Sequence, residues 1–165
     1  MKLKRLLTHL MMPAWRVRRI FATSVMSHIE KSIQMGEAAH HGELRFAVEA
    51  SLHPLAIWRE VSARDRAIEV FSQLQVWDTA SNNGVLIYLL LADHDVEIVA
   101  DRDLNHRVDD QQWEQICRDM EAEFRAGRFE DGVVAGINAI NHLLVSHYPN
   151  RGPDQNELSD KPVLL

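Results

Sequence analysis

NNGVLIYLLLADHDVEIVADRD, residues 82–103, decides the fold. Its centre, Gly84 to Ala92 (GVLIYLLLA), is the longest apolar run in the chain. After the polar break Asp93-His94, Asp95 to Asp101 (DVEIVAD) resumes in strand-like alternation. A continuous apolar run bounded by turn residues fits a strand buried on both faces, and alternation fits a strand buried on one. The run is also far shorter than the roughly 18–20 residues that span a bilayer. The stretch reads as the central hairpin of an α/β sheet, with polar clusters at both ends.

Working outward, Glu43 to Glu49 (ELRFAVE) alternates. Leu44, Phe46 and Val48 share one side and Glu43, Arg45, Ala47 and Glu49 the other, which predicts a flank strand with a wet or loosely covered face. His53-Pro54 and Trp58 read as a loop, with Trp58 packed on a sheet end. Ser62 with Asp65 predicts a capped helix whose buried stripe is Ala67, Phe71 and Leu74. Strand, helix, strand at this distance is a βαβ unit, so 43–49 and 84–92 run parallel. The short Asp93-His94 connection then returns the third strand antiparallel.

Beyond Asp101, RDLNHRV reads as a loop, and Asp109 or Asp110 caps a helix. Its stripe is Trp113, Ile116, Cys117, Met120 and Phe124. Gly127 ends it. A second helix, Phe129 to Val145, uses Val133, Ile137, Ile140 and Leu144, with Gly132 and Gly136 set for close packing. On the other side, Thr23 or Ser24 caps a helix to about Ala39 that closes at a solvated His40-His41. Lys2 to Met12 forms a short basic amphipathic helix stopped by Pro13. The expected organisation is a basic arm over 1–20, a single domain over 21–148 and an extended tail over 149–165. The sheet is small and mixed, built from the βαβ unit and the hairpin.

Charge divides the chain. Of 18 basic residues, six (Lys2, Lys4, Arg5, Arg16, Arg18, Arg19) lie in 1–20, which hold no acid. The remaining 12 face all 24 acidic residues, a formal charge of −12 over 21–165. Such a body repels nucleic acid, whose binding rests on phosphate neutralisation. The basic arm reads as a helix packed on the body with its arginines solvated, or as one that meets an anionic membrane surface. One cysteine, Cys117, permits no intrachain disulfide, and its place in an apolar stripe predicts an inert thiol. The N-terminus lacks the form of a signal peptide, and the expectation is a cytoplasmic protein, peripheral to the inner membrane.

The topology gathers polar residues at two sheet ends. Asp93 and Asp95 sit at the hairpin turn with Glu49. At the other end, Asp101 emerges beside Glu43, Asn82 and Asn83, followed by Arg102 and Asp103. Carboxylates with side-chain amides are hard oxygen ligands suited to calcium or magnesium, and an arginine can hold phosphate or pair with a carboxylate. Turn and capping chemistry accounts for the same composition without any ligand. No GxxxxGK[ST], GxSxG, HExxH or paired CxxC is present.

Several stretches together resemble the TPM domain family: GELRFAVEASL, ARDRAIEVF, NNGVLIYLLL, VEIVADRD, the helix starting near Trp113, FRAGRFEDGVVAGINAI and the ending ELSDKPVLL. The resemblance covers about residues 13–165. It implies a three-layer, Rossmann-like α/β/α sandwich. It also implies a function variously described as acid phosphatase, calcium binding or partnership in membrane-complex assembly and repair. The acidic site it implies falls on Asn82, Asn83, Asp101, Arg102 and Asp103. Asp101, Asp103, Asn82 and Asn83 are then the candidate ligands for calcium or magnesium, and Arg102 the candidate phosphate contact. Two departures stand out. RRIFATSV carries no acid where many members have VxDxAG, and Asp103 replaces a usual glycine. The leading expectation is an interaction or assembly module of a membrane-associated process, with a protein or anionic lipid as partner. The alternative is a metal-assisted phosphatase or a cation-binding domain.

Overall fold

The computed structural model describes residues 2–150, 152 and 155–165. Met1, Arg151, Pro153 and Asp154 lie outside them, as does the side chain of Lys2. The elements are α1 Lys2–Leu10, α2 Ala14–Ile20, α3 Thr23–Glu37, β1 Glu43–Glu49, α4 Pro54–Trp58, α5 Ala63–Gln73, β2 Gly84–Leu90, β3 Asp95–Ala100, α6 Arg102–Arg107, α7 Asp110–Arg125, α8 Phe129–His147 and β4 Val163–Leu164.

The sheet runs β3-β2-β1-β4. β1 pairs parallel with β2 from Glu43↔Gly84 to Glu49↔Leu90, and β3 returns antiparallel on β2. Every residue of β2 is buried, as an unalternating apolar run requires. Leu44, Phe46, Val85 and Ile87 face one core, closed by α2, α3, α7 and α8. Ala47, Leu86, Tyr88 and Val99 face a second core under α4 and α5. The result is a three-layer α/β/α sandwich.

Local signals hold where chemistry is local. Ser62 and Asp65 form a reciprocal capping box, and Asp109 with Gln112 forms another. Gly127 takes φ +78° just past the end of α7. A Cβ on Gly136 would lie 2.3 Å from Met120 Sδ, so this glycine permits the close α7–α8 contact.

Other expectations are corrected. β1 is not a flank strand: β4 pairs beside it, Ala47↔Val163 and Val48↔Leu164. At Glu43 and Arg45 its polar face is buried because the tail covers it. Glu43 accepts from the Glu157 and Leu158 N–H groups at 3.0 and 3.1 Å, and Arg45 donates to the Ser159 carbonyl. His40 is buried, not solvated. Its Nε2 meets Asn141 Oδ1 at 3.0 Å, and its Nδ1 accepts from the Gly42 N–H at 3.2 Å. Residues 102–107 form α6, nucleated by Asp101 as N-cap. Residues 54–58 form α4, and Trp58 is exposed instead of packed on a sheet end. α3 starts at Thr23 with no side-chain cap.

Candidate functional site

Strand register brings the predicted polar residues to one sheet end. Asp101 N–H donates to the Gly84 carbonyl at 2.9 Å, and Asp103 N–H to the Asn82 carbonyl at 3.3 Å. Asn82 sits at φ +50°, a conformation asparagine tolerates better than most residues. Asn83 is fully buried. Its N–H donates to Thr79 Oγ1 at 3.1 Å and its Nδ2 to the His41 carbonyl at 2.9 Å. Asp101 is also buried, with Oδ1 accepting from the Arg102 N–H at 2.7 Å as the α6 cap. Asn83 Oδ1 and Asp101 Oδ2 are buried with no hydrogen-bond partner among the described residues. Buried polar atoms ordinarily have partners, so two orphans on adjoining strand ends are notable.

Two of the predicted residues do not join them. The Arg102 side chain is 86 % exposed, its Nε 4.0 Å from Asp101 Oδ1. The Asp103 carboxylate accepts from the Tyr148 hydroxyl at 2.5 Å and from Arg107 Nε at 2.9 Å. These hydrogen bonds, Tyr148 first, hold Asp103 below the usual carboxylate range. Arg107 also lies over the Tyr148 ring, 5.2 Å from its centre. Asp103 thus ties α6 to the end of α8. Hard oxygens of Asn83 and Asp101 fit calcium or magnesium, with backbone or water completing the shell. Among the described residues, no three His, Cys, Asp or Glu side chains gather as a metal cluster.

A second surface lies on α1 and α2. One side of α1 is pinned to the body. Arg5 donates to Asp93 Oδ2 through Nε and Nη2 at 3.0 and 2.8 Å, and to the Val61 carbonyl at 2.9 Å. His9 is buried, with Nδ1 accepting from the Leu52 N–H and Nε2 on Asp93 Oδ1, both at 2.9 Å. An accepting Nδ1 places the ring proton on Nε2. Leu6 packs on the second core. The opposite side is apolar and open: Leu3, Leu7 and Leu10, with Met11 just past the helix end, are 50–78 % exposed, and Trp15 on α2 is 61 % exposed. Lys4 on α1 and Arg16, Arg18 and Arg19 on α2 are exposed, with no side-chain hydrogen bond or ion pair among the described residues. The basic helix was legible in the sequence, but its anchors Asp93 and His9 were not. Asp93 reads as a plain turn residue and lies 88 positions from Arg5.

Residues 18–143 match the TPM domain. Among solved structures, the chain is similar to the BA42 protein from the psychrophilic bacterium Bizionia argentinensis. The identity is 27 % and the TM-score 0.77, covering 87 % of this chain and 94 % of that one. It also shares its fold with the N-terminal domain of a P. gingivalis protein, at 18 % identity and a TM-score of 0.63 over 80 % of this chain and 82 % of that one. No curated protein matches the sequence. Among the described residues, no helix is long and apolar enough to cross a membrane.

Proposed function

The chain belongs to the TPM domain family, and from that premise we propose that it is an interaction module that docks on an anionic membrane surface through α1 and α2. The carrying observation is the exposed stripe Leu3, Leu7 and Leu10, continued by Met11, presented by a helix whose other side is fixed to the body, with Trp15 exposed on α2. A helix held only by the hydrophobic effect would turn these leucines inward. Unpartnered cations on the same two helices complement lipid phosphate, and the exposed Trp15 on α2 suits the headgroup boundary. The cytoplasmic leaflet of the inner membrane is a surface of this kind, with juxtaposed basic residues contributing about 1 kcal/mol each. Docking there would place the sheet and α7–α8 where a membrane protein under assembly can meet them.

Co-sedimentation with vesicles tests this. Recovery should be high with phosphatidylglycerol present, low with phosphatidylcholine alone, and reduced by salt. Leu7→Glu with Met11→Glu should abolish it without lowering the melting temperature, since neither side chain is buried. Equal recovery of wild type and double variant would sink the proposal.

A second reading rests on Asn83 Oδ1 and Asp101 Oδ2. Two buried oxygens without partners are what a calcium or magnesium ion would satisfy. In the metal-assisted phosphatase form of this reading, Asp101 and Asn83 hold the ion, which would polarise a phosphoryl oxygen. Arg102, free to turn from its exposed position, would hold the phosphate, with Asn82 beside it. Calcium or magnesium should raise the melting temperature of the wild type and not of Asp101→Asn. No shift in the wild type removes both metal readings.

A further inference from the structure

The open edge of β3 carries unmet bonding of two opposite kinds. β3 is the terminal strand of the sheet. The Asp101-to-Gly84 bond sets its phase: Asp95, Glu97 and Val99 exchange backbone bonds with β2, and Val96, Ile98 and Ala100 turn theirs outward. Ile98 is already engaged there. Its carbonyl accepts from Arg64 Nη1 at 2.5 Å, and the Cys117 thiol lies in hydrogen-bond contact with its backbone. The outward N–H and carbonyl of Val96 have no partner among the described residues.

A groove of about 500 Å³ follows this edge between α5 and α7. Five carboxylates line it (Asp95, Glu97, Asp110, Glu114, Glu121) against two guanidiniums. Those two are occupied, Arg64 by Glu97 and Arg118 by Glu114, each at 3.3 Å. Asp95 is half-buried, and its carboxylate has no hydrogen bond or ion pair among the described residues. Burial first, then Glu97, Glu121 and Asp93, push its carboxyl up to about 6. Trp113, which also lines the groove, is only 7 % exposed, and its indole N–H is buried without an acceptor. Each such group lowers stability until a partner arrives.

A bare metal ion would satisfy the carboxylates and leave the indole donor unmet. A ligand with both positive charge and carbonyl oxygens would satisfy both. We propose that this groove binds a short basic extended segment of a partner protein, which adds beside β3 as a strand. Its backbone bonds to Val96, one of its carbonyls accepts from the Trp113 indole, and a lysine or arginine meets Asp95. Strand addition of this type takes affinity from the main chain and selectivity from alternate side chains. The same carboxylates discourage a second copy of this acidic chain from pairing edge to edge, so selection and protection come from one set of charges.

Fluorescence anisotropy with the labelled peptide Thr-Lys-Val-Lys-Val-Lys-Thr, and its counterpart with glutamate for lysine, tests the proposal. The basic peptide should bind and weaken with salt, while the acidic one should not bind. Asp95→Asn should weaken binding about tenfold, the loss of one charge-assisted contact. Val96→Pro removes the outward N–H at an edge position where proline is tolerated, and should weaken binding by at least as much. In wild-type protein, nitrogen–proton correlation spectra should shift most at the Val96 amide and the Trp113 indole. Equal binding of both peptides, no binding at millimolar peptide, or shifts confined to α1 and α2 would each overturn the proposal.

Discussion

Arg5 places two of its three donating nitrogens, Nε and Nη2, on one oxygen of Asp93, leaving the other oxygen to His9. The hairpin turn between β2 and β3 is therefore also the anchor of the N-terminal helix. Burial alone would push the Asp93 carboxyl up, but the hydrogen bonds from Arg5 and His9, with the Arg5 charge, outweigh it and hold it below its usual value. A depressed acid contributes stability above its unfolded value, and that contribution is lost as pH falls through the folded value. Asp93→Asn should cost about 2 kcal/mol at pH 7, and progressively less as pH falls below the ordinary carboxylate value of 3.8. Limited proteolysis should then release α1 first, and a variant as resistant as wild type would refute the anchoring role.

Glu37 titrates in the opposite sense. Burial pushes its carboxyl up to about 9; the Leu44 N–H opposes this, while Glu43 and Asp160 add to the rise. The folded protein thus holds a proton that the unfolded chain releases near 4.5, so stability falls as pH rises from about 4.5 to 9. Glu37→Gln keeps an acceptor for Leu44 and removes the titration. Its melting temperature should exceed that of wild type at pH 8 and match it at pH 4.

Gly84 opens the central strand beside the orphaned Asn83 oxygen. A Cβ there would lie 2.0 Å from the Val76 carbonyl oxygen, which is backbone and cannot rotate away. Gly84→Ala should cost about 1–3 kcal/mol, read as a lower urea midpoint at unchanged slope.

Cys117 should resist modification. Burial, followed by the charge of Glu97, pushes its thiol up to about 12. Since the thiolate is the reactive form, an aromatic disulfide reagent at pH 8 should label it slowly in the native protein and promptly in guanidinium.

The fold was legible wherever pattern and contact are close in sequence. β2 declares itself through nine apolar positions without alternation, and α7 through its stripe. The covering of β1 was not legible, because ELRFAVE alternates equally well whether its polar face meets water or the Glu157–Ser159 backbone. Of the site, register brings the backbones at Asn83 and Asp101 to one sheet end. The diversion of Asp103 depends on Tyr148, 45 residues away, and no local signal marks it. The open stripe of α1 was visible as amphipathicity, but which side faces the body depends on where Asp93 stands.

The pairing of β4 with β1 carries a cost in time. On the ribosome, β1, β2 and β3 are all made before the tail that completes them. Ala47 waits for Val163, and at roughly 5–20 residues per second that wait is on the order of ten seconds. Throughout it, the outer edge of β1 is bare, and Glu43 and Arg45 have yet to meet the backbone that buries them. The nascent chain is then most exposed to misassembly at a strand that the finished protein buries in all but its last residue.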